Sequence, residues 1–186
     1  MRKFKLQVQT TVDGYMAGPD SQMDWMTFPW TDDVGDYINE FQAPVDCMVL
    51  GRNLAEGFIP AWESGPPGET QETIDWMNNT PKVVISNSLT ESPWKNATVA
   101  GGDLTKTITE LKAQEGGDII TYGGSTLVSD LIARDLLDDL YLLVNPTAIG
   151  TGLPVFPAGD YTRFRMVDVR LFECGITALH LEPKRA

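Results

Sequence analysis

The sequence contains few of the residues that build disulfide frameworks, zinc sites or hydrolase triads. Its 186 residues include two cysteines and one histidine. Cys47 and Cys174 are far apart and form no CxxC motif, so we expect reduced, packed thiols. His180 lies in an alternating apolar stretch that favours a packed strand residue. These three side chains are too few for an all-protein zinc site, and without a GxSxG motif a Ser-His hydrolase is disfavoured.

Basic residues and long apolar runs are also scarce. Lysine and arginine together number 14 against 26 acidic residues, which gives a net charge of −12 and a pI near 4.4. This field repels nucleic acid and anionic membranes, and no basic cluster offsets it. No stretch approaches the ~20 apolar residues that a membrane helix needs, and the first residues lack a signal-peptide core. We expect a cytoplasmic protein without a nucleic-acid or membrane partner.

The composition is that of an ordinary folded domain, with 42% hydrophobic and 22% charged residues. The chain shows no internal repeat, low-complexity tract or linker, so residues 1–186 are predicted to form a single domain.

Short apolar runs and helical patterns alternate along the chain. The predicted strands cover residues 3–12, 45–50, 82–86, 97–100, 118–122, 140–144, 164–172 and 176–181. About four helices connect them; residues 52–58 form at most a short helix, and 60–69 are expected to be irregular. This alternation predicts an α/β fold with a mostly parallel sheet and a C-terminal antiparallel hairpin.

Two of the predicted strands end at glycine immediately before a helix. One ends at Gly51, followed by Arg52, and another ends at Gly123-Gly124. Backbone N–H groups at such helix starts can bind phosphate, and a guanidinium suits phosphate oxygens. Asp13 and Ser86 are also strand ends, so we expect one edge of the sheet to gather all these residues. The alternative is that the glycines serve only as tight turns.

These stretches together resemble the dihydrofolate reductase superfamily, in particular its bacterial branch related to the riboflavin-biosynthesis reductase domain. The resemblance covers nearly the whole chain. The residues that carry it are Val12-Asp-Gly-Tyr-Met-Ala, Gly51-Arg52, Tyr122-Gly-Gly-Ser and Gly150-Thr-Gly-Leu-Pro-Val-Phe.

The resemblance implies a dihydrofolate-reductase-like mixed sheet of eight strands that binds NADPH, in a homodimer as is usual for related families. It also implies a role for individual residues in cofactor and substrate binding. Met16 and Ala17 would border the nicotinamide; Gly51, Arg52 and Asn53 would contact adenosine-side phosphates; Ser86 and Asn87 would lie near the 2′-phosphate; Gly123, Gly124, Ser125 and Thr126 would hold the pyrophosphate; Trp25 would lie between cofactor and substrate.

The sequence departs from both named relatives. Folate reductases present an acid from the inward face of the first helix, but here that face is apolar and aromatic, with Tyr37 and Phe41 among its residues. Asp33 lies only at the rim of this face, and the residue five beyond Trp25 is Trp30 rather than an acid. The Asp-Asp-Pro segment of the riboflavin enzymes is also missing. Neither substrate can therefore be carried over.

We interpret the chain as an NADPH-dependent reductase that transfers hydride to a C=N or C=O group of a small, pterin- or pyrimidine-like heterocycle. Asp13 and Asp24 are the candidate proton donors, with Tyr15 as a further candidate. Asp13 could equally serve its Asp-Gly turn, and Asp24 could be a solvated loop acid. Trp25, Tyr37 and Phe41 are the candidate substrate contacts. The alternative is a weakly catalytic protein that binds or senses the nicotinamide nucleotide.

Overall fold

The computed structural model describes residues 1–156, 158–159 and 161–185. Its strands are β1 (Phe4–Thr11), β2 (Tyr15–Ala17), β3 (Val45–Gly51), β4 (Lys82–Ile85), β5 (Ala97–Ala100), β6 (Asp118–Thr121), β7 (Asp139–Asn145), β8 (Leu153–Pro154), β9 (Phe164–Leu171) and β10 (Thr177–Pro183). Its helices are α1 (Asp32–Gln42), α2 (Arg52–Glu63), α3 (Gln71–Asn79), α4 (Leu104–Ala113) and α5 (Ser125–Ala133).

Eight of the strands form one mixed sheet in the order β5-β4-β3-β6-β1-β7-β10-β9. The first six of these are parallel, and β10 and β9 follow as an antiparallel hairpin. The predicted fold class, including this hairpin, is confirmed. The longest helix has 12 residues, so none of the helices in the described ranges can cross a membrane.

The structure corrects three local expectations. The helix expected to end near residue 58 continues through Pro60 to Glu63, because Ala55 and Ile59 extend its buried stripe against the sheet. The described helices therefore number five rather than four. Two stretches expected as loops, 15–17 and 153–154, pair as a small antiparallel ribbon.

The two faces of the sheet are covered by different helices and have different chemistry. One face, under α4 and α5, buries an apolar cluster that includes Phe4, Leu6 and Val8 of β1. The opposite face packs against α1, α2 and α3. On that face β1 presents Lys5 and Gln7 instead, because successive strand residues point to opposite sides of a sheet.

The chain changes direction between β3 and β6, which are neighbours in the sheet. From β3 it continues through α2 and α3 to β4 on one side, and from β6 it continues through α5 to β7 on the other. Because such crossovers are right-handed, the two helices that follow these strands lie on opposite faces of the sheet. The carboxyl edge between β3 and β6 is therefore a crevice of the kind in which α/β proteins bind ligands.

Ion pairs tie the strands together at the opposite edge. The buried Lys5 ammonium lies 2.7 Å from Asp118 and donates to the Phe41 carbonyl. His180 is packed, as expected, because its ring stacks on Tyr141 and its Nε2 lies 2.7 Å from the buried Asp139. These groups stabilise the amino ends of the strands and lie away from the crevice.

Candidate active site

Two helices start at the crevice without a capping side chain. Gly51 precedes α2 and Gly124 precedes α5; neither helix has an acidic residue in its first turn. The other three helices carry acidic or capping side chains, with the Asp103 carboxylate accepting from the Lys106 N–H at the start of α4. The first N–H groups of α2 and α5 thus retain the positive end of each helix dipole for an external anion.

The two uncapped starts lie next to each other. A Cβ atom placed on Gly51 would lie 3.5 Å from Leu127 Cβ and 4.0 Å from the Gly124 nitrogen. A Cβ atom placed on Gly124 would meet nothing within 4 Å. The space beside the Gly124 Cα is therefore open, and it lies next to the first N–H groups of α5, which are the kind of donors that bind anions.

A glycine-lined wall connects this space to the small ribbon of β2 and β8. Gly123 has φ of 133°, and a Cβ atom there would lie 3.4 Å from the Met16 side chain. A Cβ atom on Gly152 would lie 2.2 Å from the Ala17 carbonyl oxygen, so the ribbon closes only around glycine. Met16 and Ala17, the expected nicotinamide neighbours, are thus brought to the expected pyrophosphate turn.

Arg52 lies at this same edge, as the first residue of α2. Its guanidinium is exposed and lies 3.0 Å from Glu56 one turn later. The pairing of Gly51 with Ile85 in β4 places Arg52 level with Ser86 at the neighbouring strand end. Asn53 is exposed on the first turn of α2. An exposed guanidinium held only by a surface ion pair is free to contact an anion.

Ser86 and Asn87 form the turn that follows β4. The Ser86 hydroxyl accepts from the N–H groups of Ser88 and Leu89, and Asn87 Oδ1 accepts from the Gly102 N–H at 2.8 Å. These bonds hold the loop in place, so the expected 2′-phosphate contact depends on their remaining donor groups and stays a prediction.

Ser125 and Thr126 begin α5 beside the open space. The Ser125 hydroxyl donates to the Pro154 carbonyl at 2.7 Å, which ties the helix start to β8. Thr126 is exposed. Ser125 therefore positions the turn through its side chain, and a direct contact with an anion falls to its backbone N–H.

The three candidate proton donors follow β1: Asp13 lies in the turn before β2, Tyr15 begins β2, and Asp24 lies in the loop after it. The Asp13 carboxylate accepts from the N–H groups of Ile149 and Gly150, and hydrogen bonds from Thr11 and these groups lower its pKa. It is therefore ionised at neutral pH and anchors the loop, as its Asp-Gly context suggested. Asp24 is exposed, and Tyr15 is half-buried. Proton transfer by these two groups stays a prediction.

The rim acid on α1 is also held in place. Asp33 accepts from the Thr31 hydroxyl at 2.5 Å and from the Glu173 N–H at 3.1 Å. The hydrogen bond from the Thr31 hydroxyl, and to a smaller extent the one from the Glu173 N–H, lowers the pKa of Asp33. This carboxylate therefore faces its own helix start and the loop after β9, and it is not poised to protonate a ligand.

The aromatic face of α1 is filled by other aromatic rings. The Phe41 ring stacks on Tyr141 with centroids 4.0 Å apart, and Tyr37 packs at 5.5 Å from both Phe41 and Phe172. Only 5% of Tyr37 and 7% of Phe41 is exposed. This packing leaves the two residues little surface for the expected substrate contact and makes them mainly core residues.

The phenols on this face stay protonated well above neutral pH. Burial, with a smaller contribution from Asp168, raises the pKa of Tyr37 to about 12. Burial also raises the pKa of Tyr122 and of Tyr141. Their hydroxyl groups are therefore neutral hydrogen-bonding groups on the face of the sheet that carries α1.

Of the two tryptophans in the loop before α1, Trp30 packs against the core, and the expected position of Trp25 between cofactor and substrate stays a prediction. The Trp25 indole N–H donates locally to the Gln22 carbonyl at 3.1 Å. Trp30, by contrast, packs against the cluster under α1 that contains Val34. From the sequence, Trp25 and Trp30 could equally cap an edge of the core, and for Trp30 the structure shows such packing. Trp30 lies immediately before Thr31, the N-cap of α1.

A row of polar side chains runs beneath α1. Gln42 Nε2 donates to Gln7 Oε1 at 2.8 Å and to the Tyr122 hydroxyl at 3.0 Å. Further along β1, Gln9 Oε1 accepts from the fully buried Asn145 at 2.9 Å. The sequence analysis missed Gln9 and Asn145 as site residues. The polar half of the β1 alternation was the available signal, since both faces of a central strand are buried.

No group of three potential metal ligands occurs within the ranges that the structure describes. A cavity of about 620 Å³ lies at the opposite edge of the sheet. It is bordered by the end of α5 and by Phe164 and Arg185 on the C-terminal hairpin. Because the uncapped helix starts lie at the carboxyl edge, we place the candidate site there.

Comparison with known proteins places this arrangement in a family. The family model of the RibD C-terminal domain matches residues 2–178, and the chain belongs to that family. The chain is 26% identical over 182 residues to the uncharacterised protein YyaP of Bacillus subtilis, covering 96% of this chain and 93% of that one.

Two solved structures share the fold. A putative riboflavin biosynthesis protein from Shewanella sp. PV-4 superposes with a TM-score of 0.79 at 22% identity, covering 98% of this chain and 99% of the other. The dihydrofolate reductase of Enterococcus faecalis, solved with NADP(H), superposes with a TM-score of 0.61 at 15% identity, covering 98% and 97%. The family is a reductase-domain family with a dihydrofolate-reductase-like fold.

Proposed function

We propose that this protein is an NADPH-dependent reductase that acts on a C=N or C=O group of a small heterocycle. The observation that carries the proposal is the meeting of two uncapped helix starts, at Gly51 and Gly124, where the chain changes direction between β3 and β6. Bound NADPH supplies the hydride, as nicotinamide cofactors do in general. The protein supplies binding, orientation and exclusion of water.

Each part of the edge has a distinct task in this proposal. The first N–H groups of α5, after Gly124, hold the pyrophosphate. Arg52 reads the 2′-phosphate, because a guanidinium forms strong charge-assisted bonds with phosphate oxygens. Met16 and Ala17 form the buried wall beside the nicotinamide, where only 6% and 7% of their surfaces are exposed.

The substrate side is the face of the sheet that carries α1. Trp30 and the loop before it cover the carboxyl end of β1, and the Thr27 N–H is bound to Asn145 Oδ1 at 2.8 Å. A covered apolar pocket keeps water from the reacting groups, which strengthens the electrostatic interactions inside it. Asp24 stays the carboxylate to test as proton donor, because Asp13 is held by the loop.

A second function is favoured by one observation. The carboxylates of Asp13 and Asp33 are both held by backbone N–H groups, and both have lowered pKa values. A site without a ready proton donor suits a protein that binds or senses the nicotinamide nucleotide with little turnover. Binding of NADPH without its oxidation, across a panel of ring carbonyls and imines, would favour this function.

The test of the proposed function is a thermal-shift comparison of NADPH, NADH and FMN with the purified protein. We expect stabilisation by NADPH, weaker stabilisation by NADH and none by FMN, because binding to the native state raises the melting temperature. Unchanged melting with both nicotinamide nucleotides would reject the function and would leave the glycines as turns only.

We also propose that the protein is a homodimer joined at β9. This edge strand exposes Met166, Val167, Val169 and Leu171, with 40–76% of each side chain accessible. An unpaired edge strand can add the same strand of a second copy, which would pair its free backbone groups and bring these side chains against those of the second strand. Light scattering should give twice the mass of the chain, and Val169→Arg should give monomers. Val12→Arg, at an exposed valine elsewhere, is the matched control.

A further inference from the structure

Two buried hydrogen-bond donors lie on the α1 face of the sheet without an acceptor. They are Gln9 Nε2 and Trp30 Nε1, and neither has a hydrogen-bond acceptor among the described residues. A buried N–H group without an acceptor destabilises a folded protein, so such groups are rare. Two of them beside one predicted pocket call for a common explanation.

The orientation of the Gln9 amide follows from its neighbour. Asn145 Nδ2 faces the Leu143 and Thr10 carbonyls, which only accept, and Asn145 Oδ1 faces the Thr27 N–H, which only donates. Asn145 therefore has one allowed orientation, in which Nδ2 also donates to Gln9 Oε1. The Gln9 NH₂ group must then point away from Asn145.

Gln9 and Trp30 are placed on the same side of the sheet. Gln9 pairs with Leu143 in the β1–β7 register, so the two side chains share a face. Leu143 belongs to the cluster under α1 against which Trp30 packs. The two free donors thus flank the carboxyl end of β1, below the loop that Thr27 anchors to Asn145.

The hydrogen-bonding groups of this pocket are opposite in kind to those of a folate site. A pterin ring presents amino and ring N–H donors, which need a carboxylate acceptor. Here the acids nearest to α1 face elsewhere, and the pocket offers N–H donors instead. Donors of this kind bind carbonyl oxygens or unprotonated ring nitrogens.

We propose that Gln9 and Trp30 select a substrate whose polar edge consists of hydrogen-bond acceptors, such as a ring dione, over an amino-substituted ring. This proposal rests on the proposed reductase function and narrows its substrate class. Both nitrogens are shielded from water in the free protein, so the ligand reaches them when the loop before α1 moves. The ligand acceptor then replaces the missing hydrogen-bond partners.

The experiment compares two probes on one ring system with the NADPH-loaded protein. The probe 1,3-dimethylpteridine-2,4-dione carries only acceptors on its polar edge, whereas 2,4-diaminopteridine carries amino donors. We follow the indole and glutamine side-chain N–H signals of ¹⁵N-labelled protein by NMR during each titration. The dione should bind more tightly and should shift the signals of Trp30 and Gln9 downfield, while the signal of Trp76, at the amino edge of the sheet, stays in place.

Three variants test the donors individually. Gln9→Leu and Trp30→Phe should each weaken dione binding by about 2- to 12-fold, the change expected for one lost hydrogen bond. Gln9→Glu replaces the donor with an acceptor and should reverse the preference towards the diamine. Trp76→Phe, on α3 beside the amino ends of β3 and β4, is the matched control and should change neither affinity. All four variants should melt cooperatively and bind NADPH like the unmodified protein.

Equal binding of the two probes, binding of neither, or unchanged dione affinity in both Gln9→Leu and Trp30→Phe would overturn the proposal. In those cases the two donors take no part in selecting the substrate. The NADPH thermal shift reports separately on the reductase function, since it depends on Gly124 and Arg52 rather than on these donors. Failure of the substrate inference is thereby distinguished from failure of the cofactor site.

Discussion

The two faces of β1 differ in what they bury, although both are covered by helices. Phe4, Leu6 and Val8 point into the apolar cluster beneath α4 and α5 and make no polar contact there. On the reverse face, Gln7 and Gln9 point towards α1 and take part in hydrogen bonds. The first face stabilises the domain, and the second adds a polar lining to the candidate site. A single strand thus serves both packing and recognition through its two-residue period.

The largest expected effect is on NADPH binding at the crevice, where α2 starts on one face of the sheet and α5 on the other. Gly124→Val should abolish NADPH binding, because the new side chain occupies the open space where the structure would admit a phosphate. Isothermal titration calorimetry measures this loss. Gly57→Val is the matched control, since it places the same side chain in open space on the exposed side of α2. Normal NADPH affinity in Gly124→Val would move the phosphate site elsewhere.

Next in size is the response to dihydrofolate. Asp33, the rim acid of α1, is held by Thr31 and Glu173 and is not free to protonate a ligand, and general acid–base assistance typically contributes ~10²–10⁴-fold to a rate. We therefore expect negligible oxidation of NADPH with dihydrofolate in a steady-state absorbance assay. Turnover in the ordinary enzyme range of ~1–10³ s⁻¹ would show that another acid, such as Asp24, serves the pocket.

Leu6→Ala tests the packing face. Leu6 is fully buried, and its truncation should lower the free energy of unfolding by ~2–5 kcal/mol, as for other buried leucines. On the other face, Gln7→Ala should cost only ~0.5–1.5 kcal/mol, because it removes one hydrogen bond to Gln42. Urea unfolding measures both values. Equal losses would contradict the difference between the faces.

Arg52→Ala tests the exposed end of the crevice. It should weaken NADPH binding by ~1.5–3 kcal/mol, the range for hydrogen bonds to charged groups, with a smaller effect on NADH. Lys106→Ala is the control, because Lys106 forms a similar ion pair with Glu110 on α4. A parallel loss for NADPH and NADH would show that Arg52 does not read the 2′-phosphate.

The smallest expected effect is a pH dependence of stability that arises from the buried tyrosines on the α1 face. Burial raises the pKa of Tyr37 from 10.0 to about 12, and it also raises the pKa of Tyr141. Between pH 10.0 and about 12 the unfolded chain releases the Tyr37 proton and the folded chain keeps it. The folded state therefore binds more protons than the unfolded state, and stability falls as pH rises. Urea unfolding at pH 9, 10 and 11 should show a decline that begins near pH 10. Tyr141→Phe should make that decline less steep.

The sequence determined the elements and their order, because hydrophobic periodicity and strand-end glycines are local signals. All eight strands of the main sheet and the buried stripe of α1 were predictable in this way. The alternation in β1 likewise separated Leu6 from Gln7. Where local signals conflicted, as with Pro60 inside α2, the prediction stopped too early, because burial of Ile59 against the sheet is a tertiary effect.

Only the tertiary structure decided which side chains are free to act. It assigned Asp13 to Gly150 and Asp33 to Glu173, two contacts that join residues more than 130 positions apart. It also left Gln9 without an acceptor for its NH₂ group, since Asn145 fixes the orientation of that amide. Such assignments depend on distant partners, and the spacing of residues along the chain contains no information about them.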